Sequence, residues 1–176
     1  MIHRFNKKNE NEFESILDLI KKKHDSSFYF TKDNRRQYIN DAKTFRQLLR
    51  ESNYSLVLED TEYGDYNGII LVWKSINPEN NSIRHYTKLI AKDTKAANDL
   101  LLALTWDYFG ELYVKIEKFH PNANAFQNKG WRFRGGRGKE ILLYRPKQIK
   151  PRIRKEYEPD DNTSKHNNNS KKSNKR

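Results

Sequence analysis

Three stretches of this chain carry side chains that could do chemistry. In "ELYVKIEK", Leu112, Val114 and Ile116 alternate with Tyr113, Lys115 and Glu117. A strand with that pattern is apolar on one face and sets a phenol, an ammonium and a carboxylate on the other. A positioned carboxylate such as Glu117 can accept a proton directly or through water; the plainer alternative is a solvated strand face. In "IRHYTKLIAK", His85 and Tyr86 are titratable groups on a second strand, although a lone histidine is more often structural. The third stretch, "RFRGGRG", reads either as an Arg-Gly box that grips nucleic acid through phosphate contacts and stacking or as a hairpin turn. Its flanks "WRF" and "EILLY" read as β, so the hairpin is preferred, with Gly135, Gly136 and Gly138 supplying the positive φ of the turn. Arg132, Arg134, Arg137 and Lys139 then form a basic knob, and Trp131 and Phe133 belong to the core.

Other chemistries are excluded. The chain has no cysteine, hence no disulfide framework, thiolate zinc site or thiol nucleophile. His3, His24, His85, His120 and His166 show no metal-ligand spacing. No apolar run approaches the roughly 20 residues of a membrane span, and "MIHRFNKKNENEF" has no signal-peptide core. The expectation is a soluble protein in the cytoplasm of a bacterium or a phage-infected cell. The wealth of Asn, Lys and Ile suggests an AT-rich source.

The elements that must position these groups are legible from periodicity. The 176 residues suggest one domain, spanning residues 1–146. "MIHRF" is a short first strand. Phe13, Ile16, Leu17 and Ile20 fall at i, i+3, i+4 and i+7, an amphipathic helix over about 10–23 that ends in "KKKH". Asp33 is read as the N-cap of a second helix, about 34–51, with Tyr38, Ala42, Phe45, Leu48 and Leu49 on its apolar side. "YSLVLE", the turn "YGDYNG" and "IILVWK" make a hairpin, followed by the strand at His85. A third helix, "TKAANDLLLALTWDYF", is capped by Thr94. The strand at Glu117 and a short helix over 122–128 that stops at Gly130 lead to the closing hairpin. Strands mixed with helical crossovers indicate an α/β (α+β) domain on one central mixed sheet of about seven strands with about four helices.

Charge is uneven. Residues 145–176 hold 11 Lys+Arg against 4 Asp+Glu, and residues 1–144 hold 24 against 19. The last stretch, 147–176, is too polar to offset ordering entropy and is expected to be a disordered basic tail. Lys150, Arg152, Arg154 and Lys155 would carry any polyanion contact it makes.

The element order, together with "NKGWRF", a Gly-rich turn and "KEILLYR", resembles the GNAT family of N-acetyltransferases over roughly residues 1–145. The family's "Y-x-x-x-G-F" pattern appears here as Phe126-Gln127-Asn128-Lys129-Gly130-Trp131. The resemblance implies transfer of an acyl group from acetyl-CoA, or another acyl-CoA, to an amine. It places the cofactor between the strands of His85 and Glu117, with its pyrophosphate at the start of the third helix, and implies Lys92, Lys95, Ala96, Ala97, Asn98, Asn122 and Phe126 as cofactor-binding residues. Glu117, Tyr113 and His85 become the catalytic candidates. Two departures stand out. Residues 91–99, "AKDTKAAND", contain no glycine, whereas glycines let backbone approach a phosphate closely. Phe126 stands where the family often has a proton-donating Tyr. The second reading is therefore a module of the same fold that has lost catalysis and binds nucleic acid or a nucleoprotein through its basic hairpin and tail.

Overall fold

A short acid-first, base-last segment opens the architecture. Helix α1 (Glu10–Lys22) has Glu10 and Glu12 in its first turn and Lys21 and Lys22 in its last, the arrangement the helix dipole favours. Phe13, Ile16, Leu17 and Ile20 are all buried. The computed structural model describes residues 1–22, 29–38 and 41–149. Among these, the other elements are β1 (Ile2–Arg4), β2 (Tyr29–Lys32), β3 (Arg35–Tyr38), α2 (Ala42–Glu51), β4 (Ser52–Asp60), β5 (Asp65–Ile76), β6 (Ile83–Ala91), α3 (Thr94–Asp107), β7 (Leu112–Glu117), α4 (Pro121–Asn128), β8 (Arg132–Arg137) and β9 (Glu140–Arg145).

Seven strands form one mixed sheet in the order β1-β4-β5-β6-β7-β9-β8, while β2 and β3 pair separately as a hairpin. The expected central sheet with four helices is present. Strand β5 shows why both faces must be covered. Ile69, Leu71 and Trp73 point to one side and join α1 and α2 in one core. Ile70 and Val72 point to the other and join α3 and α4 in a second. Phe13 and Phe45 stack at 5.5 Å and fasten α1 to α2. Gly68 lets α3 close on the sheet, because a Cβ there would lie 2.8 Å from Leu100 Cδ1 and 2.9 Å from the Ile90 carbonyl.

Four sequence expectations need correction. The helix expected from residue 34 begins only at Ala42, capped by Asp41, whose carboxylate accepts from the Thr44 amide. The segment before it is the β2–β3 hairpin. Asp33 and Asn34 are its turn, with φ of 50° and 61°, so Asp33 is a turn residue and caps nothing. Tyr38 and Ala42 are exposed rather than apolar contacts of a helix. The cap of α3 is Asp93 and not Thr94. In the closing hairpin the turn is Gly138 and Lys139, and β8 runs through Gly135 and Gly136. Gly135 (φ 147°) sits at a bulge. Gly136 has no positive φ and is needed for another reason: a Cβ would come within 2.7 Å of the Glu140 carbonyl. Trp131 is core as expected, but Phe133 is 64% exposed because it lies on the outer face of the edge strand. The expected tail, with Lys150, Arg152, Arg154 and Lys155, lies outside the described residues, as do His24 and His166.

Candidate active site at the split between two strands

Strands β6 and β7 are the parallel neighbours at the middle of the sheet, and they share one bridge, Tyr86 to Tyr113. Their other neighbours are antiparallel and fully laddered, β5 against β6 and β9 against β7. Beyond the bridge the two strands diverge and leave a notch through the sheet. Lys88, Leu89, Val114, Lys115, Ile116, Glu117, His120 and Phe126 line it, together with Tyr29. Alternation assigns the linings. Leu89, Val114 and Phe126 belong to the core under α3 and α4, whereas Lys115 and Glu117 follow Tyr113 to the opposite face. The notch is thus apolar on one face of the sheet and charged on the other.

The β2–β3 hairpin covers the charged face. Phe30 packs edge-on against Trp73 at 5.3 Å, and Trp73 Nε1 donates to the Thr31 carbonyl at 3.1 Å. Lys88 Nζ donates to the Tyr29 carbonyl at 3.0 Å. The Tyr29 hydroxyl donates to the Glu140 carboxylate, and Glu140 is the register partner of Glu117 across β7 and β9. Arg36 lies over the Tyr29 ring at 4.1 Å. Burial, then the hydrogen bond and charge of Glu140, push the Tyr29 phenol up to about 12. It therefore keeps its proton throughout the neutral range. The buried Thr87 Oγ1, which alternation sets on the face of Leu89, has no hydrogen-bond partner within the protein. A buried hydroxyl in that state suits a ligand with a donor or acceptor of its own.

The sequence candidates divide among three places. Glu117 and Phe126 are at the notch. Phe126 is fully buried, edge-on to Trp131 at 4.8 Å, and its ring has no acidic proton to give. Tyr113 forms the closed end, with its ring 6.0 Å from Tyr86 and 5.0 Å from Tyr144; burial is the main cause that raises its phenol. His85 precedes the bridge and pairs with Lys74 of β5, away from the residues that line the notch. Burial, and then the Lys74 charge, hold its imidazole below the usual histidine range. Asn122 is buried at the start of α4, where its amide donates to His120 Nδ1 at 3.1 Å. That bond leaves the proton of a neutral His120 ring on Nε2.

The start of α3 is the second place. The Asp93 carboxylate accepts from the Ala96 amide at 2.8 Å, and the Asp93 carbonyl accepts from the Ala97 amide at 3.1 Å. The Lys92 amide donates to the Asn67 carbonyl at 2.7 Å. Ala96 and Ala97 are buried in the core, Asn98 is half-buried, and Lys95 is ion-paired with Asp99 at 3.0 Å. The third place is the sheet edge, where Arg132, Arg134, Arg137 and Lys139 are all exposed. Among the described residues no group of three or more His, Cys, Asp or Glu could hold a metal ion, and no helix is long and apolar enough to cross a membrane.

Sequence reasoning missed Tyr29, Lys88, Thr87 and Glu140. Tyr29 and Glu140 meet across 111 positions, and no local pattern announces such a pair.

A seven-stranded mixed sheet split at its central parallel pair, with two helices on each face, is the GNAT fold. The chain superposes on the ribosomal-protein-alanine N-acetyltransferase of Brucella melitensis with a TM-score of 0.61 at 14% identity, over 82% of this chain and 96% of that one. It matches the phosphinothricin acetyltransferase of Sinorhizobium meliloti in complex with acetyl-CoA at 0.61 and 13%, over 84% and 88%. A chain of the NatC complex bound to Gag peptide and CoA matches at 0.60 and 17%, over 83% and 97%. No protein-family model matches the sequence, and no curated protein matches it. At these identities the likeness establishes the fold. It gives no support to the nucleic-acid reading.

Proposed function

We propose that this protein is an N-acyltransferase that moves an acyl group from a thioester to an amine in the notch between β6 and β7. The observation that carries the reading is the single bridge between Tyr86 and Tyr113. A parallel pair that separates after one bridge withdraws backbone pairing from the middle of a sheet. A fold loses stability that way, and the opening is lined with groups suited to acyl transfer. Fold alone would not argue the chemistry; the lining does.

The apolar side, Leu89, Val114 and Phe126, suits the arm of a thioester. The charged side suits the amine. An uncharged amine attacks the thioester carbonyl. A C–N bond forms as the C–S bond breaks, the amine's proton passes to the exposed Glu117 carboxylate, and the thiolate takes a proton from water. Glu140 sits beside Glu117 and is occupied by Tyr29, so Glu117 is the carboxylate open to substrate. Phe126 has no acidic proton to donate, so water is the proton source for the thiolate.

The test is thiol release from acetyl thioesters with a panel of primary amines. Glu117→Gln is expected to lower the rate by a factor of about 10²–10⁴, the usual worth of a general base, with the unfolding midpoint unchanged. Thiol release that never exceeds the uncatalysed rate with any amine would refute the reading.

A further inference from the structure

The GNAT fold implies an acyl-CoA donor, and the two ends of that donor meet different surfaces here. The thioester end has the notch, with its apolar wall of Leu89, Val114 and Phe126. The pyrophosphate end should meet open amides at the start of a helix, where the dipole favours an anion. At α3 one of those amides, that of Ala96, is already taken. An anion is already in place, the carboxylate of Asp93, bonded at 2.8 Å to the Ala96 amide. The Ala97 amide is held by the Asp93 carbonyl and the Lys92 amide by Asn67. Lys95 is paired with Asp99. A pyrophosphate brought to this turn would face Asp93 as a like charge. Residues 92–97 also carry a Cβ at every position, which keeps a phosphate farther from the backbone than glycine would.

We infer that the start of α3 carries its own anion, and that the donor is an acyl thioester on a pantetheine arm recognised without its adenosine diphosphate. This rests on the acyltransferase reading above and adds the class of donor. A free pantetheine thioester and an arm ending in a phosphodiester to a larger carrier share the chemistry the notch would recognise.

Calorimetric titration of the full chain with acetyl-CoA, acetyl-pantetheine and acetyl-4′-phosphopantetheine tests it. The expected result is that acetyl-CoA and acetyl-pantetheine bind within roughly threefold of each other. Tighter phosphopantetheine binding would identify the carrier-borne arm as the source, and equal binding the free one. Asp93→Asn keeps a capping side chain, since Asn and Asp cap equally well, but removes the charge. It should strengthen acetyl-CoA binding by about tenfold or more, the worth of a charge-assisted contact, and leave acetyl-pantetheine unchanged. Wild-type binding of acetyl-CoA about tenfold tighter than acetyl-pantetheine would overturn the inference while sparing the acyltransferase reading. An Asn variant with the wild-type ratio would remove Asp93 from the role. If none of the three probes binds at millimolar concentration, the acyltransferase reading falls and the inference with it.

Discussion

Arg145 illustrates what a buried cation demands. It is 2% exposed at the end of β9, and burial lowers its guanidinium to about 10. Its Nη2 donates to the carbonyls of Tyr108 and Gly110, at 2.6 and 2.7 Å, where the chain leaves α3 and turns into β7. Arg145→Ala would leave both carbonyls unpaired and a cavity beside Trp131. A loss of about 2–4 kcal/mol is expected from those two effects, read as a lower urea midpoint at unchanged slope. At this scale the sequence was partly legible. Glu117 could be found because strict alternation gives a strand two faces, and Phe126 because a glycine follows it at a helix end. Tyr29, Lys88 and Glu140 could not, since each acquires its meaning from a partner on a distant strand. His85 shows the limit of such reading: it is a titratable side chain on the expected strand, and the register pairs it with Lys74, away from the residues that line the notch.

Among elements, the β2–β3 hairpin departs furthest from what periodicity suggested. Residues 33–51 have apolar positions that can be fitted to a helix, and the fit is good from Phe45 onward. It fails before Asp41 because Asp33 and Asn34 form a tight turn with both residues at positive φ, a geometry asparagine and aspartate tolerate better than most. Tertiary bonds then fix the turn. The Asp33 carboxylate accepts from the Ile76 amide at 2.7 Å, and its own amide donates to Ser75 Oγ at 2.9 Å. Asp33→Ala removes the first bond and strains the turn, so a loss of about 1–2 kcal/mol is expected. Asn34→Gly relieves strain at the second turn position but loses the 2.9 Å bond to Asn77, and a change within about 1 kcal/mol is expected. Chemical denaturation of both variants checks the contrast; equal losses would mean that the backbone geometry described for the turn is wrong. The strands of the main sheet and α3 were read correctly because their patterns are long and their signals local.

For the whole molecule, the ten tyrosines set the response to base. Burial is the leading cause that raises the phenols of Tyr29, Tyr54, Tyr66, Tyr108 and Tyr113. A raised acid pKa means the folded state holds protons that the unfolded state releases first. Their contribution is fully present below pH 10, the ordinary tyrosine value, and is lost as the pH rises from there toward about 12 for Tyr29. The urea midpoint should fall across that window, and Tyr29→Phe should flatten part of the fall; an unchanged slope in the variant would contradict the burial described for that phenol. The sheet order has a consequence of a different kind. β1, β4, β5 and β6 make one antiparallel unit, and β7, β9 and β8 make another. Each is laced by its own ladder, and one bridge joins them. The seam between the halves is therefore the line of the sheet with the fewest backbone hydrogen bonds. Side-chain packing in the two cores, which both run across the seam, holds the halves together where the backbone ladder does not.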